Sequence, residues 1–159
     1  MLPKRRSALV ASAACVALAT GLAGCGGGGT TKAAFDKRAD KICTTYNAKL
    51  NSMTSQLSGS SSATQAVRIL DKAVGEAEQG TNKLKSLPRP SAQSGKIGQA
   101  VSAEQHLVGD LKSLVTDLKT NNESKARSLV AGITSAKSTV YKDFDAVGAK
   151  ACGGGSSAS

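Results

Sequence analysis

Apolar residues recur every three or four positions in four separate stretches of this sequence, and that spacing is the period of an α-helix. The stretches cover residues 35–57, 67–87, 97–118 and 126–147. Ala, Gly, Ser and Lys dominate the composition and runs of β-branched residues are few, which argues against a β-sheet fold. The pattern therefore predicts an all-α domain.

Helix-breaking residues separate the four stretches. Residues 58–61 read Ser-Gly-Ser-Ser, residues 88–90 read Pro-Arg-Pro, and residues 121–122 are two asparagines. Connections this short favour helices that run alternately up and down beside each other. We therefore expect an antiparallel up-down-up-down four-helix bundle, in which the first and fourth helices are neighbours.

Three positions carry the residue types that typically begin or end helices. Ser62 and Gln65 form a capping-box pattern at the start of the second stretch. Asn122 is a favourable N-cap for the fourth. Gly148 follows the last apolar residue and can adopt the left-handed conformation that ends many helices. These residues set the expected bounds of the second and fourth helices.

The first 25 residues have the organisation of an export signal. Three basic residues at positions 4–6 precede an apolar stretch over residues 8–23, which is too short and too rich in alanine for a good membrane span. The segment ends in four residues, Leu22, Ala23, Gly24 and Cys25.

This quartet resembles the lipobox of bacterial lipoproteins. The resemblance implies transfer of a diacylglyceryl group to Cys25, cleavage after Gly24, and removal of residues 1–24 as a signal peptide. It also implies a chain anchored by its acyl groups on the extracytoplasmic side of the cell membrane. Residues 25–31 would then form a glycine-rich tether between the lipidated cysteine and the helices.

Two cysteines remain once the signal segment and the lipidated residue are set aside. Cys15 lies in the removed segment, which leaves Cys43 and Cys152. An exported protein meets an oxidising environment, so an intramolecular disulfide is the simplest expectation, with two free thiols or an intermolecular bond as the alternatives. In the chain-entropy model, closing a loop of this length stabilises the fold by about 4 kcal/mol.

The two ends of the helical region carry short motifs around these cysteines. Residues 39–43 read Ala-Asp-Lys-Ile-Cys, and residues 148–153 read Gly-Ala-Lys-Ala-Cys-Gly. This pattern resembles small helical lipoproteins of high-GC Gram-positive bacteria that have no assigned function. The resemblance implies a disulfide-tied helical domain, placed here at residues 32–152, and supplies no catalytic residue. Residues 153–159 are expected to be a disordered Gly/Ser tail.

The sequence offers little material for catalysis or metal binding. His106 is the single histidine, no Cys-x-x-Cys pair occurs, and no Gly-x-Ser-x-Gly motif is present. Glu104 falls on the apolar face of the third helix, where burial would raise its pKa; a boundary residue reaching solvent or a lysine is the simpler expectation. Met53 and His106 are conceivable haem ligands. We expect no enzyme, no metal site and no cofactor beyond the lipid.

Positive charge is the remaining signal. Removal of the signal segment leaves 18 basic and 11 acidic side chains, a net charge of +7. Residues 32–57 contribute +3 and residues 122–151 contribute +2. Outside the membrane the available polyanions are anionic lipid head groups and acidic wall polymers, and nucleic acid is not expected. A solvated basic face near a negative membrane, with no specific partner, is the simpler alternative.

Two functions fit these observations. The first is a non-enzymatic, lipid-anchored envelope lipoprotein that acts as a surface-exposed binding or structural module. The alternative is a carrier that holds a small apolar or haem-type ligand between its helices. An internal cavity would distinguish the two, because a module that acts through its surface should have a filled core.

Overall fold

The computed structural model describes residues 30–154, and the described chain is all-helical with four long helices. These are α1 (Lys32–Ser58), α2 (Ala63–Lys85), α3 (Ser94–Lys119) and α4 (Glu123–Val147). A short 3-10 turn at Ser91–Gln93 precedes α3. The all-α fold class is confirmed, and each predicted stretch lies in one helix or ends just beyond it. Over residues 30–154, no helix combines the length and apolar character needed to cross a membrane.

The predicted caps of α2 and α4 are confirmed, with one difference in detail. The Ser62 hydroxyl accepts a hydrogen bond of 3.2 Å from the backbone N–H of Gln65, as expected of an N-cap. The Gln65 side chain accepts from the backbone N–H of Ser61, one residue earlier than a capping box requires. Asn122 caps α4, and Gly148 has a φ of 90°, the left-handed conformation predicted for it.

Consecutive helices pack against each other in a bundle-like arrangement. α1 packs on α2, α2 on α3, and α3 on α4, whereas α1 and α4 make no comparably close backbone approach. The larger apolar cluster joins the start of α1, the start of α3 and the end of α4, with Phe35, Ile97 and Phe144 nearly or fully buried at its centre. A smaller cluster of Val74, Val108 and Val115 joins α2 to α3.

The four aromatic residues of the described chain lie in two places. Phe35 and Phe144 are buried in the larger cluster and Tyr141 packs against it. Tyr46 lies instead against α2, where a β-carbon on Gly80 would stand 3.0 Å from its Cγ. Its ring fits there because glycine has no side chain, which brings α1 and α2 together.

Candidate binding cleft

The chain after α4 turns back along the bundle and attaches to the middle of α1. Cys43 and Cys152 lie at disulfide distance, with an Sγ–Sγ separation of 2.05 Å. The backbone N–H of Ala151 donates to Asp40 Oδ1, and its carbonyl accepts from Asn47 Nδ2, each at 2.9 Å. These bonds lie one turn before and one turn after Cys43, so they hold the segment on both sides of the disulfide.

The fold extends slightly beyond the predicted domain end. Gly153 is buried, and a β-carbon there would meet the carboxylate of Asp145 and stand 2.9 Å from the carbonyl oxygen of Tyr141. Gly153 and Gly154, which were expected to belong to the tail, belong to the turn that follows α4, and only glycine fits at Gly153. Residues 155–159 lie outside the described residues, as do the signal segment, Cys25 and most of the tether.

A cleft of about 760 Å³ separates α1 from α4. Residues 151–154 lie over one end of it, and α2 and α3 supply its floor. The wall formed by α1 is largely polar and carries hydroxyl and amide side chains, from Thr44, Asn47, Asn51 and Thr54. The wall formed by α4 is mostly apolar and includes one lysine, with Ile133, Lys137, Tyr141 and Phe144. The cleft is therefore amphipathic.

The floor of the cleft is apolar except for one carboxyl group. α3 contributes Leu107, Val108 and Leu111, together with Glu104. Burial raises the pKa of the Glu104 carboxyl above its ordinary value of 4.5. Among the described residues, none forms an ion pair or a hydrogen bond with this carboxylate. The simpler expectation was a boundary residue that reaches solvent or a lysine; Glu104 is partly exposed and pairs with no lysine of the described chain.

The one cation that faces the cleft is turned toward an aromatic ring. Lys137 Nζ lies 5.3 Å from the centroid of the Tyr141 ring, a cation–π geometry. Five other basic side chains in the described chain form ion pairs, and three of those pairs join different helices. Each involves exposed groups, so their contribution to stability is small.

The proposed haem ligands are not brought together. His106 is exposed on α3, and Met53 is buried beside a shallow depression between α1 and α2. Neither side chain lines the cleft. In residues 30–154, no three His, Cys, Asp or Glu side chains are grouped closely enough to hold a metal ion.

Sequence reasoning missed the polar wall of α1, although a signal for it was present. Its four polar residues follow each other at steps of three, four and three, which places them on one face of a helix beside the apolar stripe. Such a second stripe is usually a solvated surface. Its adjacency to the apolar stripe of α4 is visible only in the folded chain.

Comparisons with protein-family models, with curated proteins and with solved structures each returned no match to this chain.

Proposed function

We propose that this chain is a lipid-anchored envelope lipoprotein whose helical domain binds a small amphipathic molecule in the cleft between α1 and α4. The cleft is the observation that carries the binding role. Its volume of about 760 Å³ falls in the range usual for small-molecule sites. Its mixture of apolar and polar lining residues suits a ligand with an apolar body and a polar group.

The cleft favours a carrier over a module that acts only through its surface. Protein interiors are normally close-packed, and an unfilled space between helices forfeits dispersion contacts. Leu50 and Ile133 are only half-buried, although both belong to the apolar stripes of their helices. A ligand in the cleft would bury the apolar surface that these two residues leave accessible.

The proposed topology is an up-down-up-down bundle with the cleft along the seam between its first and last helices. Two features support it: short connections between the helices and the packing of each helix on the next. In this arrangement the disulfide and residues 149–154 join the end of α4 to the middle of α1, at one end of the cleft that follows the seam. The opposite end of the seam is then the natural entry route for a ligand.

The anchor rests on the lipobox. Thr31, the N-cap of α1, lies six positions after Cys25, so a fully extended tether would span about 20 Å. Lys37, Arg38 and Lys41 are exposed near the start of α1. A short tether would keep these cations close to the membrane, where anionic lipid head groups or acidic wall polymers are their expected partners.

Anchoring is tested by expressing the full precursor with Cys25→Ser. We expect this variant to lose metabolic labelling by an acyl-chain analogue and to leave the membrane fraction. Cys15→Ser is the matched control, because this cysteine lies inside the signal segment and is not the lipid acceptor. Equal labelling of the Cys25→Ser variant and the native chain would contradict the lipoprotein assignment.

Ligand binding is tested with Nile red, an uncharged apolar dye whose fluorescence rises in apolar surroundings. The protein is the mature chain with Cys25→Ser, which lacks only the lipid. Ile133→Trp places a large ring in the cleft and should abolish most of the fluorescence increase. Val130→Trp on the same helix is the control, because Val130 is 52% exposed and does not line the cleft. Equal dye binding by both variants would refute the site.

A further inference from the structure

Glu104 is the one acidic side chain that lines the cleft, and its surroundings in the described chain leave its charge uncompensated. It extends from the third helix beside Leu107 and Val108, which form an apolar floor. The α1 wall and the floor contributed by α2 carry no titratable side chain, apart from the disulfide-bonded Cys43. On α4 the facing titratable groups are Lys137 and Tyr141, which pair with each other rather than with Glu104.

Burying a carboxylate among apolar side chains costs free energy unless a partner compensates it. No side chain of residues 30–154 forms a hydrogen bond or an ion pair with the Glu104 carboxylate. Exposure of the carboxylate through the cleft mouth lowers this cost in the empty protein. A ligand that fills the cleft would remove that solvent, so it would have to satisfy the carboxylate itself.

We propose that the molecule bound in the cleft is an amphipathic amine, whose ammonium group binds the Glu104 carboxylate while its apolar chain covers the α3 floor. This inference rests on the proposed ligand-binding function of the cleft and specifies its ligand. A charge-assisted hydrogen bond in a partly desolvated site is about twice as strong as one between neutral groups. An ammonium group therefore provides the complement that the protein itself does not.

The polar wall of α1 fits the same ligand. An ammonium group has three donors, and a single carboxylate does not satisfy all of them at once. Thr44 and Asn51 line the cleft on α1, and their side-chain oxygens are acceptors. Asn47 also keeps its amide oxygen available, because its bond to Ala151 uses the amide nitrogen. An anionic ligand would meet the like charge of Glu104 on the floor.

The test compares three ligands with the same chain length: decylamine, decanol and decanoate. Their dissociation constants are measured by calorimetry at neutral pH, below their aggregation limits, with the mature Cys25→Ser chain. We expect decylamine to bind most tightly. Glu104→Gln should weaken decylamine binding by about tenfold or more and leave decanol unchanged. The same substitution at exposed Glu78, which is outside the cleft, should leave all three unchanged.

Two results would overturn the proposal, and they differ in what else they refute. Equal affinities for the three ligands, unaffected by Glu104→Gln, would refute amine recognition while leaving the cleft as a site for apolar molecules. The absence of binding by all three, together with failure to displace Nile red, would refute both this inference and the proposed function. Retained helicity and cooperative unfolding of Glu104→Gln would show that its effect on affinity does not come from misfolding.

Discussion

The backbone N–H of Ala151 donates a hydrogen bond of 2.9 Å to Oδ1 of Asp40, a residue 111 positions earlier in the chain. Together with the bond from Asn47 to the Ala151 carbonyl, it fixes the C-terminal segment to α1 independently of the disulfide. This segment also covers one end of the cleft. Its attachment therefore links the stability of the fold to the shape of the candidate site.

Substitution of Asp40 should release part of this attachment. Asp40→Ala leaves the Ala151 N–H without its charged acceptor, so we expect the free energy of unfolding to fall by about 2 kcal/mol. Asp40→Asn keeps an oxygen acceptor and should lose about half as much. Urea denaturation of both variants provides the measurement. If Asp40→Ala unfolds at the same urea concentration as the native chain, the bond from Ala151 to Asp40 does not contribute to stability.

Removal of the disulfide should have a larger effect. Cys43 and Cys152 are separated by 109 residues, so breaking their bond restores much of the conformational freedom of the unfolded chain. We expect the Cys43→Ser/Cys152→Ser variant to lose about 4 kcal/mol of stability. Native protein treated with dithiothreitol should melt at the temperature of this double variant. An unchanged melting temperature after reduction would contradict the stabilising role of the disulfide.

Two glycines of α2 should respond to alanine in opposite directions. At Gly75 a β-carbon would meet open space, so Gly75→Ala should stabilise the protein by about 1 kcal/mol through helix propensity. At Gly80 it would stand 3.0 Å from Cγ of Tyr46 and force the ring or the helix to move. We expect Gly80→Ala to destabilise by about 1 kcal/mol despite the gain in propensity.

Thermal unfolding of the two glycine variants checks this pair directly. Because both residues lie on the same helix, a difference in sign cannot come from helix propensity alone. A Tyr46→Ala background provides a further control: it lacks the Cγ atom that the new β-carbon would meet, so Gly80→Ala should no longer destabilise the protein there. Stabilisation by Gly80→Ala in the native background would show that Tyr46 moves aside at little cost.

The sequence was sufficient to locate the four helices, because the signals for them are local. The apolar period gives the buried face of each helix, and residues such as Ser62 and Gly148 act within one turn of their own position. Cys43 and Cys152, the pair that the cysteine count favoured for an intramolecular bond, also lie at disulfide distance. None of these inferences required knowledge of how distant helices meet.

The cleft could not be predicted in the same way. Periodicity shows that Leu50 and Ile133 belong to apolar stripes, but it does not show whether the stripes of α1 and α4 close on each other. The position of Tyr46 illustrates the difficulty. Its ring packs toward α2 because Gly80 leaves space there, so the ring does not fill the space between α1 and α4. Whether a side chain points to one neighbour or another is a property of the packed structure.

Glu104 provides a pH-dependent test of the cleft floor. Its pKa is raised in the folded protein by burial, so the folded state holds this proton at pH values where the unfolded chain has released it. The protonated Glu104 side chain makes its full contribution to the free energy of unfolding below the ordinary pKa of 4.5. This contribution is lost as the pH rises through the higher pKa that Glu104 has in the folded state. Above that value the ionised carboxylate destabilises the fold by a constant amount.

Glu104→Gln removes this titration while keeping the shape of the side chain. Subtracting the free energy of unfolding of the native chain from that of the variant cancels the contributions that the other carboxyl groups make to the pH dependence. We expect this difference to increase in favour of the variant as the pH rises above 4.5, and to level off once the pH exceeds the raised folded pKa of Glu104. Glu78→Gln, at an exposed site, should show no such increase. A flat difference for Glu104→Gln would mean that its carboxylate remains fully solvated, which would remove the physical basis for amine binding in the cleft.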